Sequence, residues 1–389
     1  MIYLDNSATS FPKPQSVSVA VNKALKEYGA NPGRSGHKMA IKSAKEVYAC
    51  RETVAEFFNA KSAENVVFTL NCTHALNIVI KGYLKEGDHV VTSNLEHNSV
   101  IRPLAKLKEK GIEYTQAVVY EADNDKTLNS FKEALNRKTK LVICTHASNV
   151  WGIKLPIQRI GAMCKEYGIK FMVDASQTAG VEKIDIVENN IDFLCTAGHK
   201  SLFGTMGTGL LITDKFKEID TLIEGGTGNS SILTQQPDFM PDKFESGTQN
   251  LIGIVGLNEG IKFINRVTVE QIYNKELILI RKLYDNFRNM ENVKLYTEKN
   301  TKEYNSPILS FNIENIDSEA VAQHLSKHYN VGLRAGLHCS PLAHTAYKTV
   351  EQGAVRVSPS YFNTTKDIEK LINGVNNIQK NKIWSCKKF

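Results

Sequence analysis

Short runs rich in β-branched residues alternate with stretches whose apolar residues fall three and four apart, and this alternation constrains the fold more than any other feature of the chain. The runs lie at 66–69, 89–92, 114–119, 140–145, 170–174, 191–195 and 209–213, with helical spacing between most of them, as at Val100, Leu104 and Leu107 or at Phe131 and Leu135. Strands separated by amphipathic helices predict an α/β fold, a parallel sheet covered on both faces. In such sheets ligands bind where loops leave the carboxyl ends of the strands, so the residues after each run are the ones to read for chemistry.

The 389 residues exceed one compact core; at roughly 100–200 residues per domain, two or three domains are expected. The stretch 43–58 predicts a long helix carrying Val47, Cys50, Val54, Phe57 and Phe58 on one face. Periodicity fails over 225–250, where Gly225, Gly226, Gly228, Pro237, Pro241 and Gly247 predict a long irregular segment. A loop of that length is usually functional or packed on a partner. After about residue 265 the texture becomes α+β: helices at 270–290, 318–328 and 365–378, strands at 307–313, 331–334 and 354–358.

Composition removes several classes. Hydrophobic residues make up 42 % and charged residues 23 %, a globular balance rather than a disordered one. No apolar run nears the roughly 20 residues a membrane-spanning helix needs. Asp5 interrupts the start of the chain where a signal peptide would be apolar. Seven cysteines, an odd number without a CxxC pair, argue against a disulfide framework and a zinc ribbon and for a reducing cytoplasm. The net charge of +7 is a mild excess whose dense cluster is the tail (Lys380, Lys382, Lys387, Lys388), which reads as a solvated end rather than a nucleic-acid surface.

The runs end in informative residues. Val173-Asp174-Ala175-Ser176-Gln177 places a carboxylate at the ligand edge; it either caps the next helix or pairs with a cationic ligand nitrogen. One crossover later, Gly198-His199-Lys200 brings a lysine to the same edge. A partly buried amine has a lowered pKa and can form a Schiff base. An acid for a pyridinium nitrogen and a lysine for an aldehyde are the groups that pyridoxal 5'-phosphate (PLP) requires. Asn71-Cys72-Thr73-His74-Ala75 opens a helix after a strand and offers amides and the Thr73 hydroxyl to a phosphate; Glu96-His97-Asn98 offers His97 to stack on the ring.

With these motifs in order, and with Tyr3-Leu4-Asp5-Asn6-Ser7-Ala8 and Gly247-Thr248-Gln249-Asn250, nearly the whole chain resembles the cysteine desulfurases, fold-type I PLP enzymes of the class V aminotransferase superfamily. The resemblance implies a large PLP-binding domain over 15–264 and a small α+β domain from 1–14 and 265–389. It implies that Lys200 holds the cofactor, Asp174 pairs with the pyridine nitrogen, His97 stacks on the ring and Gln177 contacts its hydroxyl. Thr73, His74 and His199 fall to the cofactor's phosphate side, and Thr248 would reach it from the neighbouring subunit of a homodimer. Asn149 would touch the substrate carboxylate or the ring oxygen, and Asn31 and Arg356 would serve the substrate. One departure stands out: Ala197 occupies a position that usually offers a hydroxyl, with Thr196 one place earlier.

A desulfurase also needs a mobile thiol. Arg334-Ala335-Gly336-Leu337-His338-Cys339-Ser340-Pro341 resembles the segment bearing the reactive cysteine of the Suf-type branch, with a short loop after Cys339. Free cysteines are mostly buried packing residues, but Gly336 and Pro341 mark a loop here, and Arg334 and His338 are expected to favour a thiolate. The other six cysteines read as packing. The implied reaction takes L-cysteine to alanine, leaving a persulfide for an acceptor protein or thiol; a selenocysteine lyase shares these motifs, and another class V lyase or aminotransferase would leave Cys339 without a task. The glycines at 204–209 lead into a strand rather than a helix, which argues against a dinucleotide site, and no metal-ligand spacing is present.

Overall fold

The computed structural model describes residues 1–33, 36–298 and 301–380, without the side chains of 379 and 380. Cys386 and the lysines at 382, 387 and 388 lie outside the described residues. In chain order the elements are β1 (Ile2–Tyr3), α1 (Gln15–Glu27), α2 (Lys38–Phe58), β2 (Val66–Thr69), α3 (Cys72–Tyr83), β3 (His89–Ser93), α4 (Asn98–Lys108), β4 (Glu113–Ala117), α5 (Asn124–Ala134), β5 (Thr139–Thr145), α6 (Ile157–Tyr167), β6 (Lys170–Asp174), β7 (Phe193–Ala197) and β8 (Gly209–Ile212). There follow α7 (Leu251–Val267), α8 (Val269–Phe287), β9 (Val293–Leu295), β10 (Leu309–Ile313), α9 (Ser318–Tyr329), β11 (Val331–Gly332), α10 (Pro341–Ala346), β12 (Val355–Val357) and α11 (Thr365–Lys380).

Among the described residues seven strands form one sheet, in the order β2-β8-β7-β6-β5-β3-β4. All neighbours are parallel except β8, which runs antiparallel to both β2 and β7. Strand side chains alternate between the two faces. In β5, Leu141 and Ile143 join one apolar cluster while Val142 and Cys144 join another, so helices cover the sheet on both sides. Burial on both faces explains why these strands read as continuous apolar runs.

A third apolar cluster gathers Leu4 with Leu283, Phe287, Phe311, Val355 and Leu371, around the antiparallel sheet β12-β10-β9. The amino-terminal residues belong to this unit: β1 pairs with β11, and Asp5 bridges to Ser358. Here the fold departs from sequence order, since residues more than 300 positions apart share one small core.

Several boundaries differ from expectation. β7 ends two residues later than periodicity suggests, because Thr196 and Ala197 pair with Leu210 and Gly209 of β8. The expected strand at 114–119 ends at Ala117; the amides of Val118 and Val119 bond the side chains of Ser130 and Asn94 instead. Helix α7 carries no signal that marks it in the sequence. It is apolar on most sides and holds three glycines, which lower helix propensity. Packing demands one of them: a Cβ on Gly260 would lie 2.2 Å from the Leu202 carbonyl oxygen. The expected irregular segment is present, without helix or strand between Ile219 and Asn250, and the buried Glu245 fastens it. That carboxylate pairs with the buried Arg51 of α2 and accepts from Phe68 N at 2.7 Å.

Candidate active site

The carboxyl ends of the parallel strands meet at one edge of the sheet. β6 ends there in Asp174. No helix follows β6, so the capping alternative falls away; Asp174 Oδ1 accepts from Ser176 N (2.9 Å) and from the Cys72 thiol at the start of α3 (3.5 Å). Beside it, the turn after β7 carries Lys200. Burial pushes its amine below the ordinary lysine range, and the neighbouring Asp174 charge opposes that push. Arg356 and Arg334 are the other cations acting on it, both lowering it further.

His97 caps α4, and its Nδ1 accepts from Ser99 N at 3.1 Å. That bond makes Nδ1 an acceptor and assigns the ring proton to Nε2. Burial pushes the imidazole down to about 4, so the ring is neutral at physiological pH. Ser99 Oγ lies 2.8 Å from His97 Nδ1 and 2.7 Å from Thr73 Oγ1 on α3, tying the ring-stacking candidate to the proposed phosphate cradle. Ser99 stands in the Glu96-His97-Asn98-Ser99 motif, yet only the fold shows this link.

The chemistry of these residues fits PLP: a carboxylate, a buried amine and a helix start on neighbouring elements. At the first turn of α3 Asn71 Oδ1 takes the His74 amide (2.9 Å), which leaves the amides of Cys72 and Thr73 without intrahelical partners. His199 has a buried Nδ1 without a hydrogen-bond partner, and burial holds its imidazole down to about 4. Its carbonyl accepts from Lys13 Nζ at 2.6 Å; burial lowers that amine to about 8. Lys13 therefore pins the backbone next to Lys200, a contact the sequence does not suggest. Thr196 does not replace the hydroxyl missing at Ala197, because its Oγ1 donates to the Ala175 carbonyl (3.3 Å). Gln177 is buried and donates to Ser7 O at 3.2 Å.

The substrate side is built across the two units. Arg356, 1 % exposed, donates to Asp5 Oδ1 (2.6 Å) and to the Asn149 carbonyl (2.9 Å), while its Nε has no partner. The Asn149 side chain donates to His338 O (2.9 Å) and accepts from Ser340 Oγ (2.6 Å). Cys339, between those two residues, is the only exposed cysteine among the described ones, and Arg334 Nη2 lies 3.8 Å from its sulfur. The expectation for His338 is corrected. Burial holds its imidazole down to about 2, and its Nε2 bonds the Ala354 carbonyl (3.0 Å), so it is a neutral prop for the loop and not a cation beside the thiol.

Three candidates gather near the first turn of α3, next to Thr73. His74 turns back to Leu70 N (3.3 Å) and shares a cavity of about 140 Å³ with Thr248 and Gly207. Asn31 donates to Thr248 Oγ1 at 3.5 Å. The structure thus places Asn31 beside Thr248, and Thr248 in one cavity with His74. Among the described residues no group of three or more His, Cys, Asp or Glu side chains is arranged to hold a metal, and no helix is long and apolar enough to cross a membrane.

Comparisons with known proteins give the family and the fold. The family model for class-V aminotransferases matches residues 2–371. A probable cysteine desulfurase of Methanothermobacter thermautotrophicus is 33 % identical over 382 residues, covering 95 % of this chain and 92 % of the relative. One of Borreliella burgdorferi is 32 % identical over 400 residues, covering 98 % and 92 %. Among solved structures, a cysteine desulfurase of Thermococcus onnurineus superposes with a TM-score of 0.90 at 29 % identity, over 97 % of this chain and 94 % of that one. The cysteine desulfurase CsdA of Escherichia coli gives 0.85 at 25 % identity with the same coverage. With its sheet, its Asp174 and Lys200 at adjacent strand ends and its exposed Cys339, the chain belongs to the cysteine desulfurase family of PLP-dependent class-V aminotransferases.

Proposed function

We propose that this protein is a cysteine desulfurase, taking L-cysteine to L-alanine and holding the released sulfur as a persulfide on Cys339. The observation that carries the proposal is the position of Cys339, exposed on a short loop whose neighbours bond Asn149, while Asn149 and Arg356 lie beside the strand ends of Asp174 and Lys200. An ordinary aminotransferase has no use for a thiol there.

In this reading PLP, held by Lys200, Asp174, His97 and the start of α3, supplies an electron sink when bound. The chain supplies the rest. Arg356 and Asn149 orient the substrate carboxylate; the planar guanidinium suits it, and Asp5 fixes the fork in place. The Lys200 amine, lowered by burial, accepts the substrate's Cα proton. The Cys339 thiolate attacks the substrate sulfur. The new S–S bond forms as the Cβ–S bond breaks, and the electron pair stays with the carbon fragment, which takes up a proton and leaves as alanine.

The exposed thiol suits onward transfer to an acceptor protein or thiol. We read 15–264 as the cofactor-binding domain and 1–14 with 265–389 as the domain presenting Cys339. We also read the protein as a homodimer, with Thr248 reaching the neighbouring site. The exposed apolar side chains near Thr248 support an interface there: Leu70 and Ile223 line its cavity, and Ile232 on the same long segment is 94 % exposed.

The test is to mix wild type, Lys200→Ala and Cys339→Ala with cysteine and measure alanine, with mass spectrometry for added sulfur on Cys339. The Lys200 variant should make no alanine. If Cys339→Ala makes alanine at the wild-type rate without external thiol, the nucleophile assignment is wrong. Competing cysteine against selenocysteine in the same assay decides between desulfurase and selenocysteine lyase.

A further inference from the structure

Ser340 sits where a serine ordinarily caps a helix. It is the N-cap of α10, yet its side chain makes no capping bond, and Pro341 at the first helical position has no amide hydrogen to offer. The hydroxyl is fully buried and turns away from its own helix, donating 2.6 Å to Asn149 Oδ1 beyond the end of β5. Asn149 Nδ2 returns the contact to His338 O at 2.9 Å. The two bonds bracket Cys339. On its other side the Cys339 carbonyl accepts from Asn98 N at 2.8 Å, at the start of α4 next to His97.

The bracketed loop is not relaxed. His338 has φ +51° and Cys339 has φ +57°, two consecutive non-glycine residues in the left-handed region. Such conformations persist only when surrounding contacts hold them. Gly336, at φ +97°, makes the preceding turn and lies so close to Gly353 that a Cβ on Gly353 would be 2.7 Å from the Gly336 Cα.

We propose that Ser340 is a positioning residue, its hydroxyl fixing the orientation of the Asn149 amide and latching the Cys339 loop to the strand end where the substrate carboxylate would bind. With Oδ1 committed to Ser340 and one Nδ2 hydrogen to His338, the amide cannot flip, and its second hydrogen remains for a substrate carboxylate. The latch couples two events. It holds the loop bearing the exposed thiol against the strand end, and its release would give that loop more reach toward an acceptor. This inference rests on the desulfurase reading for its meaning, though the contacts themselves do not.

The experiment uses the PLP-loaded protein without substrate. Iodoacetamide alkylation of Cys339 is followed by mass spectrometry of its peptide in wild type, Ser340→Ala, Asn149→Ala and the double variant. Loss of one ordinary hydrogen bond predicts alkylation about fivefold faster in Ser340→Ala. Adding Ser340→Ala to Asn149→Ala should change the rate by less than about twofold, because the partner is already gone. In steady state, Ser340→Ala should raise KM for cysteine while the visible absorption of the bound cofactor stays as in wild type. A melting curve of each variant shows whether it is folded, and the double-variant comparison holds even if both singles are less stable. Unchanged alkylation in Ser340→Ala, or rate effects that multiply in the double variant, overturns the latch. Alkylation involves no turnover, so a Cys339→Ala variant that made alanine at the wild-type rate without external thiol would sink the nucleophile assignment and leave the latch standing.

Discussion

Glu96 is a fully buried carboxyl beneath the site, and replacing it with glutamine should make the protein more stable as pH rises. Its Oε1 accepts from Ser93 Oγ and from Thr145 N (2.8 Å), clasping the ends of β3 and β5, while Oε2 is buried without a partner. The ionisable groups facing it are Asp174 at the end of β6 and the Cys144 thiol of β5. Burial, reinforced by the Asp174 charge and opposed by the bonds from Ser93 and Thr145, pushes the carboxyl from 4.5 up to about 8. A raised folded-state pKa means that the unfolded chain ionises first. Stability from this group is present below about pH 4.5 and is lost as pH climbs toward 8. Between pH 5 and pH 8 the loss is about three units at ~1.4 kcal/mol each, or about 4 kcal/mol. A chain of this length unfolds with an entropy of ~0.8 kcal/mol/K, so the loss corresponds to about 5 °C in Tm. The amide introduced by Glu96→Gln would keep the acceptor and carry no titrating proton. The assay is a set of thermal melts of wild type and Glu96→Gln at half-unit steps from pH 5 to pH 9. The Tm difference should grow in the variant's favour up to about pH 8 and then level off. A difference that stays flat across the range refutes the claim that Glu96 is held neutral by burial.

Three further outcomes follow from the packing and the site. Glu245→Ala leaves the buried Arg51 guanidinium without its carboxylate, and urea unfolding should show a loss of about 3–5 kcal/mol, far more than at an exposed pair such as Lys106–Glu109. Gly353→Ala places a methyl against the Gly336 backbone at a position with φ +65°; a lower Tm by calorimetry and faster Cys339 alkylation are expected, since the turn before the thiol must move. Arg356→Lys removes the fork that Asp5 and the Asn149 carbonyl hold, so kinetics should show KM for cysteine raised at least about tenfold.

Much of this protein is legible in the chain because the relevant signals are local. Strand and helix periods fix the α/β class, since burial on both faces of a parallel sheet imposes a continuous apolar run on each strand. Asp174, Lys200 and His97 stand out because each ends such a run or lies in the turn after one, and chain geometry alone carries such residues to the same edge. Helix α7 escapes because Gly260 answers to a neighbouring carbonyl, and Gly253 and Gly256 to side chains packed on them, rather than to helix propensity. His338 departs from expectation because its charge depends on burial, which no residue type announces. The partners of Arg356 and Asn149 are equally hidden: Asp5 lies 351 positions from Arg356, and Ser340 lies 191 from Asn149. The sequence by itself determined which elements form and which residue types stand at the strand ends, because those follow from spacing along the chain. Only the tertiary structure decided which of those residues touch, which are charged and what holds the Cys339 loop, because desolvation and hydrogen bonding there arise between segments far apart along the chain.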